Sequence, residues 1–172
     1  MTSKTPVYLW TGEGWGKSTS AIGVALRAVG HGRTVTIIQF MKGWGDKIGE
    51  YKVRERLQPE YEIYQFGSET WIDLENPKEE DIARAKKGLE FAKEKLKEKP
   101  FLLILDEINI AVAKKLIEEK DVLDFIDQAP EQTTIYLTGR YATPALIKRS
   151  NFATEIKPIK KSDYIAGEGI DY

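Results

Sequence analysis

The chain of 172 residues carries 26 Lys+Arg against 27 Asp+Glu. That balance excludes a global pull toward nucleic acid or an anionic membrane, so neither is expected as a partner and any anion site must be local. It has no cysteine, which excludes disulfides, thiolate metal sites and a cysteine nucleophile. The opening "MTSKTPVYLW" lacks an apolar signal core, and apolar runs such as "FLLIL" fall far short of the roughly 20 residues of a membrane span; residues 1–172 read as one soluble, cytoplasmic domain.

In chain order, "VYLW" (7–10) is a β-favouring run that stops at a glycine-rich turn, and "KSTSAIGVALRAV" (17–29) then carries apolar residues at helical spacing up to Gly30. "TVTIIQF" (34–40), "YEIYQF" (61–66), "FLLIL" (101–105) and "TTIYLT" (133–138) are further strand-like runs, with "ATEIKPI" (153–159) a weaker sixth. The spacing predicts a helix over 78–99. Asn76 and Pro77 mark its start, acids 79–81 follow, and Ile82, Ala85, Leu89, Ala92 and Leu96 form its apolar stripe. Strands that alternate with helices, and that are apolar throughout, predict an α/β fold with a mostly parallel sheet of about six strands covered on both faces. Ligands of such sheets sit beyond the carboxyl ends of the strands, which directs attention to 11–18, 39–45, 67–71, 106–107 and 139–140.

The segment "TGEGWGKSTSA" (11–21) fits a phosphate-binding loop, with Thr11 where the pattern opens on glycine. Glycines 12, 14 and 16 allow backbone N–H groups to turn inward around an anion, and the helix that begins near Lys17 adds its positive end. Lys17 supplies a mobile charge and Ser18 a hydroxyl suited to Mg²⁺. The run "FLLILDE" delivers Asp106 and Glu107 to the same sheet edge, where carboxylates suit Mg²⁺ bound together with phosphate oxygens. In "YLTGR", Arg140 leaves a strand through a glycine and is placed for bidentate phosphate contact. The one histidine, His31, falls in the turn at the far end of the first helix, which leaves no Ser-His nucleophile. A guanine-reading Asn/Thr-Lys-x-Asp segment is missing after the late strand, which favours ATP. Composition and spacing stop at a Mg-nucleotide-binding protein, with hydrolysis, phosphoryl transfer and rarer reactions all open.

The detailed string resembles the P-loop-type ATP:corrinoid adenosyltransferases. The matching blocks are "TGEGWGKSTSA", "ALRAVGHG" (25–32), "IIQFMKG" (37–43), "ILDEIN" (104–109), "LTGR" (137–140) and "GIDY" (169–172), in the family's order. The resemblance implies a three-layer P-loop NTPase fold of the RecA-like kind. It implies transfer of the 5′-deoxyadenosyl group of ATP to the Co(I) of a corrinoid, cobalamin or a precursor, with release of triphosphate. Thr11, Gly12, Glu13, Gly14, Trp15, Gly16, Lys17, Ser18, Thr19, Arg27 and Arg140 are then the nucleotide contacts; Ser18, Asp106 and Glu107 the Mg²⁺ group; and Lys17, Glu107 and Arg140 the catalytic residues. Gln39, Met41, Phe66, Glu69 and Trp71 are the corrinoid contacts. The partners implied are an electron-donating reductase or flavoprotein and, in a homodimer, a second copy of the chain.

Two departures from the family pattern stand out. Ser68-Glu69-Thr70-Trp71 replaces the usual Gly-Phe-Thr-Trp, so Glu69 stands where an aromatic is common and Phe66 is a neighbour that could fill the gap; Lys161 stands where histidine is common. A carboxylate is a poor wall for an apolar pocket. Two other readings therefore stay open, a P-loop kinase or ATPase and a non-catalytic corrinoid or nucleotide carrier.

Overall fold

A computed structural model describes residues 5–160, 163 and 166–172; Lys161 lies outside the described residues. Strands β1 (Val7–Thr11), β2 (Val35–Phe40), β3 (Tyr61–Phe66), β4 (Leu102–Asp106), β5 (Thr134–Thr138) and β6 (Phe152–Glu155) form one sheet in the order β3-β2-β4-β5-β1-β6. Every neighbouring pair is parallel. The helices are α1 (Lys17–Val29), α2 (Gly49–Lys52), α3 (Arg54–Leu57), α4 (Glu79–Lys97), α5 (Ile108–Ala113), α6 (Glu119–Asp127) and α7 (Pro144–Arg149). The six expected strands and the two expected long helices are present; α2 and α3, four residues each, are too short to leave a periodic signal.

The direction of each connection decides its layer. From β1 to β2 and from β2 to β3 the chain moves toward the β3 edge, whereas the next three connections move toward the β6 edge. Right-handed crossovers that travel in opposite directions lie on opposite faces. On one face Ala21, Ala25 and Ala28 of α1 pack on Val35, Ile37, Leu102, Ile104 and Tyr136. On the other, Leu89 of α4, Phe125 of α6 and Leu146 of α7 cover Ile38, Phe40, Leu103, Leu105 and Leu137. Leu102 to Leu105 thus alternate between two cores, which is why the strand reads as continuously apolar.

On α4 the predicted stripe faces the sheet, with Ala85, Leu89, Ala92 and Leu96 buried and Ile82 packed at its margin. Gly88 completes it: a Cβ there would sit 2.9 Å from Phe40 Cε1. Strand β6 is the exception among the strands, because all four of its residues are exposed. Its ring at Phe152 stacks on Tyr8, 4.9 Å away.

Phe125, 1% exposed, fills the layer between α6 and the sheet. Phe125→Ala is expected to lower the free energy of unfolding by about 3–5 kcal/mol, read as a shifted urea midpoint with an unchanged slope.

Candidate active site

The glycine-rich loop is built against the exit of β6. Gly14 N–H donates to Ile156 C=O at 2.8 Å, and Ile156 N–H donates to Thr11 C=O at 2.8 Å. A Cβ on Gly12 would stand 2.4 Å from Ile156 O, and Gly12 has φ 99, so only glycine fits. Gly16, with φ 98, is the N-cap of α1 and turns the chain into the helix at Lys17. Lys17 is buried, with Nζ 2.6 Å from the Gly14 carbonyl. Burial pulls its pKa down, opposed by the Glu107 carboxylate. The loop thus folds its own lysine back onto the Gly14 carbonyl.

Thr11 has a specific task. Its hydroxyl accepts the Ala142 N–H at 3.1 Å, tying the loop to the chain after β5, where Arg140 lies. Arg140 is exposed and reaches Glu13 at 3.6 Å, both side chains about half in water. Asn109, fully buried in α5, donates to the carbonyls of Trp10 at 3.0 Å and Gly139 at 3.1 Å and so pins the ends of β1 and β5 together.

The acidic pair divides its work. Asp106 is wholly buried, and its Oδ2 accepts from Lys42 Nζ at 2.8 Å and Gln39 Nε2 at 3.0 Å. Its Oδ1 accepts from Thr138 Oγ1 at 2.6 Å, and Ser18 adds a further hydrogen bond. Burial alone would raise the Asp106 carboxyl, but Lys42 outweighs it and holds the group below the usual range. Glu107 is pushed up, first by burial and then by the charge of Asp106. Its backbone takes φ 67, with its N–H donating to Thr138 Oγ1 at 3.0 Å. Four donors thus already lie on its oxygens, one of them the Ser18 hydroxyl. The Ser18 hydroxyl and Glu107 carboxylate are oxygen donors of the kind Mg²⁺ takes. Among the described residues no cluster of three or more His, Cys, Asp or Glu could hold a metal by side chains alone.

Other expected residues spread over the same edge or leave it. Trp15, Thr19 and Glu13 are exposed around the loop. Arg27 lies ten residues along α1 from Lys17, about 15 Å at 1.5 Å per residue, so it is not brought to the loop. It lines an open groove of about 720 Å³ with Tyr8, Trp10, Tyr136 and Phe152. Gln39 is fully buried and spends its amide on Asp106, Glu50 and Gln65, which removes it from any corrinoid surface. Phe66 packs on Phe91 at 5.3 Å, and Met41, with φ 60, packs on the same core; both are partly buried. Glu69 and Trp71 are exposed at the β3 exit. His31 is exposed in the turn after α1, away from the loop.

Lys42 is the residue that sequence reasoning missed. It occupies the loop after β2, where nothing but the register of β2 beside β4 signals a partner at Asp106. Its ammonium also lies 3.7 Å from Glu50, and the two carboxylates raise its pKa against the effect of burial. Lys42→Met is expected to cost about 3–5 kcal/mol of stability, because a buried carboxylate then lacks its counter-charge. Asp106→Asn in that background should recover much of the loss. The sign follows from linkage: in the parent, the depressed Asp106 pKa contributes stability that is lost as pH falls, whereas without Lys42 the folded state binds that proton more readily than the unfolded. Urea unfolding at several pH values should therefore show the gap between Lys42→Met and the parent narrowing toward acid.

Residues 3–172 match the family described as ATP:corrinoid adenosyltransferase BtuR/CobO/CobP. The chain is 33% identical over 172 residues to the corrinoid adenosyltransferase of Escherichia coli K12, covering 96% of this chain and 85% of that protein. It is 34% identical over 169 residues to the corrinoid adenosyltransferase of a Sinorhizobium species, covering 94% and 78%. To corrinoid adenosyltransferase CobA of Salmonella typhimurium LT2 it is 32% identical over 173 residues, covering 96% and 85%. A match along nearly the whole chain, on a six-stranded parallel sheet with its glycine-rich loop after β1 and its acidic pair at the end of β4, makes this chain a member of the ATP:corrinoid adenosyltransferase family.

Proposed function

We propose that this protein transfers the 5′-deoxyadenosyl group of ATP to the Co(I) centre of a corrinoid, cobalamin or a precursor, in adenosylcobalamin biosynthesis or salvage. The observation that carries the reading is a site equipped for triphosphate but not for attack. Lys17 folds back onto the glycine-rich loop and Arg140 reaches Glu13 of the same loop, while the only histidine lies in the turn after α1. Co(I) supplies the nucleophile: its electron pair forms the Co–C5′ bond, the C5′–O bond breaks, and the electrons leave on triphosphate. The protein's task is alignment and stabilisation of the departing charge.

In this reading Gly12 to Ser18 wrap the triphosphate, Lys17 and Arg140 neutralise it as it leaves, and Ser18 and Glu107 hold Mg²⁺, which supplies further charge neutralisation. Asp106 fixes the Ser18 hydroxyl through their hydrogen bond. A donor of the reductase or flavoprotein kind would provide the electron that makes Co(I), and a homodimer is the assembly that the family resemblance implies.

With ATP, Mg²⁺ and chemically reduced cobalamin, the expected products are a light-sensitive adenosyl corrinoid and inorganic triphosphate. ADP and phosphate alone would instead support a kinase or ATPase. The β,γ-imido analogue of ATP should sustain adenosyl transfer, because the β,γ bond stays intact. Lys17→Ala should lower kcat/KM on the order of 10²–10³-fold, the range for loss of one charge-stabilising donor.

A further inference from the structure

At the β2 and β3 exits two loops lie backbone to backbone. A Cβ on Gly43 would sit 2.7 Å from Gly67 O, and one on Gly67 would sit 2.3 Å from the Met41 carbonyl carbon. The segment between them is pinned on both sides: Lys42 to Asp106 at 2.8 Å, and Gly45 N–H to Gln65 Oε1 at 2.8 Å. Trp44 stands between these anchors. Its Nε1–H donates to the Glu69 carbonyl at 2.9 Å, and its ring meets that of Trp71 at 4.9 Å with a 60° tilt.

The other side chains here turn away. The Glu69 carboxylate lies 4.0 Å from Lys47, both more than 70% exposed, so it belongs to the wet rim. Phe66 is committed to Phe91 and the α4 core. Trp71 is 87% exposed, an extent unusual for the largest apolar side chain. With its polar N–H satisfied by the backbone, Trp44 is free to offer its ring, and such rings bind flat apolar ligands by face or edge.

Resting on the adenosyltransferase reading, we propose that Trp44 is a substrate-contacting residue, and that Trp44 and Trp71 together form the aromatic wall against which the corrinoid ring is seated. Trp44 supplies the ring surface that Glu69 and Phe66 do not. Because Lys42, two residues earlier, is bound to Asp106, this wall is fixed relative to the phosphate loop through one buried ion pair.

The test compares Trp44→Ala, Trp44→Phe and Trp71→Ala, each checked for unchanged circular dichroism. It measures KM for reduced cobalamin and for ATP, and separately the binding of hydroxocobalamin by equilibrium dialysis without turnover. Trp44→Ala and Trp71→Ala should each weaken corrinoid KM and binding by about tenfold, the loss of one aromatic contact, with ATP KM within about twofold. Trp44→Phe, which keeps a ring and loses the hydrogen bond to Glu69, should recover most of the affinity. If Trp71→Ala weakens the corrinoid and Trp44→Ala does not, the inference is overturned while the placement of the corrinoid stands. If Trp44→Ala shifts ATP and corrinoid constants together, or Trp44→Phe is as poor as alanine, Trp44 only holds the loops and the inference is again overturned. Normal hydroxocobalamin binding by both alanine variants overturns the seat itself. A parent that binds hydroxocobalamin through the two tryptophans yet forms no adenosyl product would support the seat and refute the transfer reading.

Discussion

The ion pair between Lys42 and Asp106 is the constraint on which the catalytic edge depends. Four donors from two strand exits and one helix meet on a single buried carboxylate: Gln39 and Lys42 from β2, Thr138 from β5, and Ser18 from α1. Removing such a group from water costs several kcal/mol, so the pair is poor evidence of added stability. Its value is specificity. Any slip of β2 against β4, or of β5 against β4, would strip a buried charge of partners, a far larger loss than an apolar mismatch. The Ser18 hydroxyl, the acidic pair and the loop that carries Trp44 therefore hold one mutual arrangement.

Strain at this edge points the same way. Met41, Glu107 and Tyr141 have positive φ, and each falls at or just past the end of a strand, β2, β4 and β5 in turn. A non-glycine residue held there costs on the order of 1–3 kcal/mol and persists only where surrounding structure over-determines it. At Glu107 the hydrogen bond from its N–H to Thr138 does so, and at Met41 it is the N–H to Phe66 carbonyl bond together with the abutting Gly67. These turns set the direction in which the chain leaves β2, β4 and β5, toward Lys42, the Glu107 carboxylate and the Arg140 loop.

Much of this was legible in the sequence, for reasons that also explain what was not. Strands β2 and β4 announced themselves because both faces are buried, and α1 and α4 because each buries one stripe. Strand β6 gave only a weak signal because an exposed edge strand has no burial pattern to impress on the sequence. The glycine-rich turn into α1 was readable because its residues are contiguous. Lys42 was not, since a lysine after a strand looks the same whether it meets water or a carboxylate 64 residues away. At Glu69 the residue type suggests a charge in an apolar pocket, whereas the structure turns the carboxylate toward Lys47 and the carbonyl toward Trp44, an arrangement that residue type alone does not signal.

Thr11 joins two strand exits. The residue that replaces the opening glycine ends β1 and leaves the backbone curl to Gly12, where φ is 99. Its carbonyl and its hydroxyl face different partners, Ile156 after β6 and Ala142 after β5. Glycine here would keep the first contact and abandon the second, leaving the Ala142 N–H to find another acceptor. A hydroxyl at this position thus closes the ring of strand exits from β2 to β6 around the phosphate loop. Because Arg140 lies two residues before Ala142, the same hydrogen bond also holds the segment that carries it against the loop.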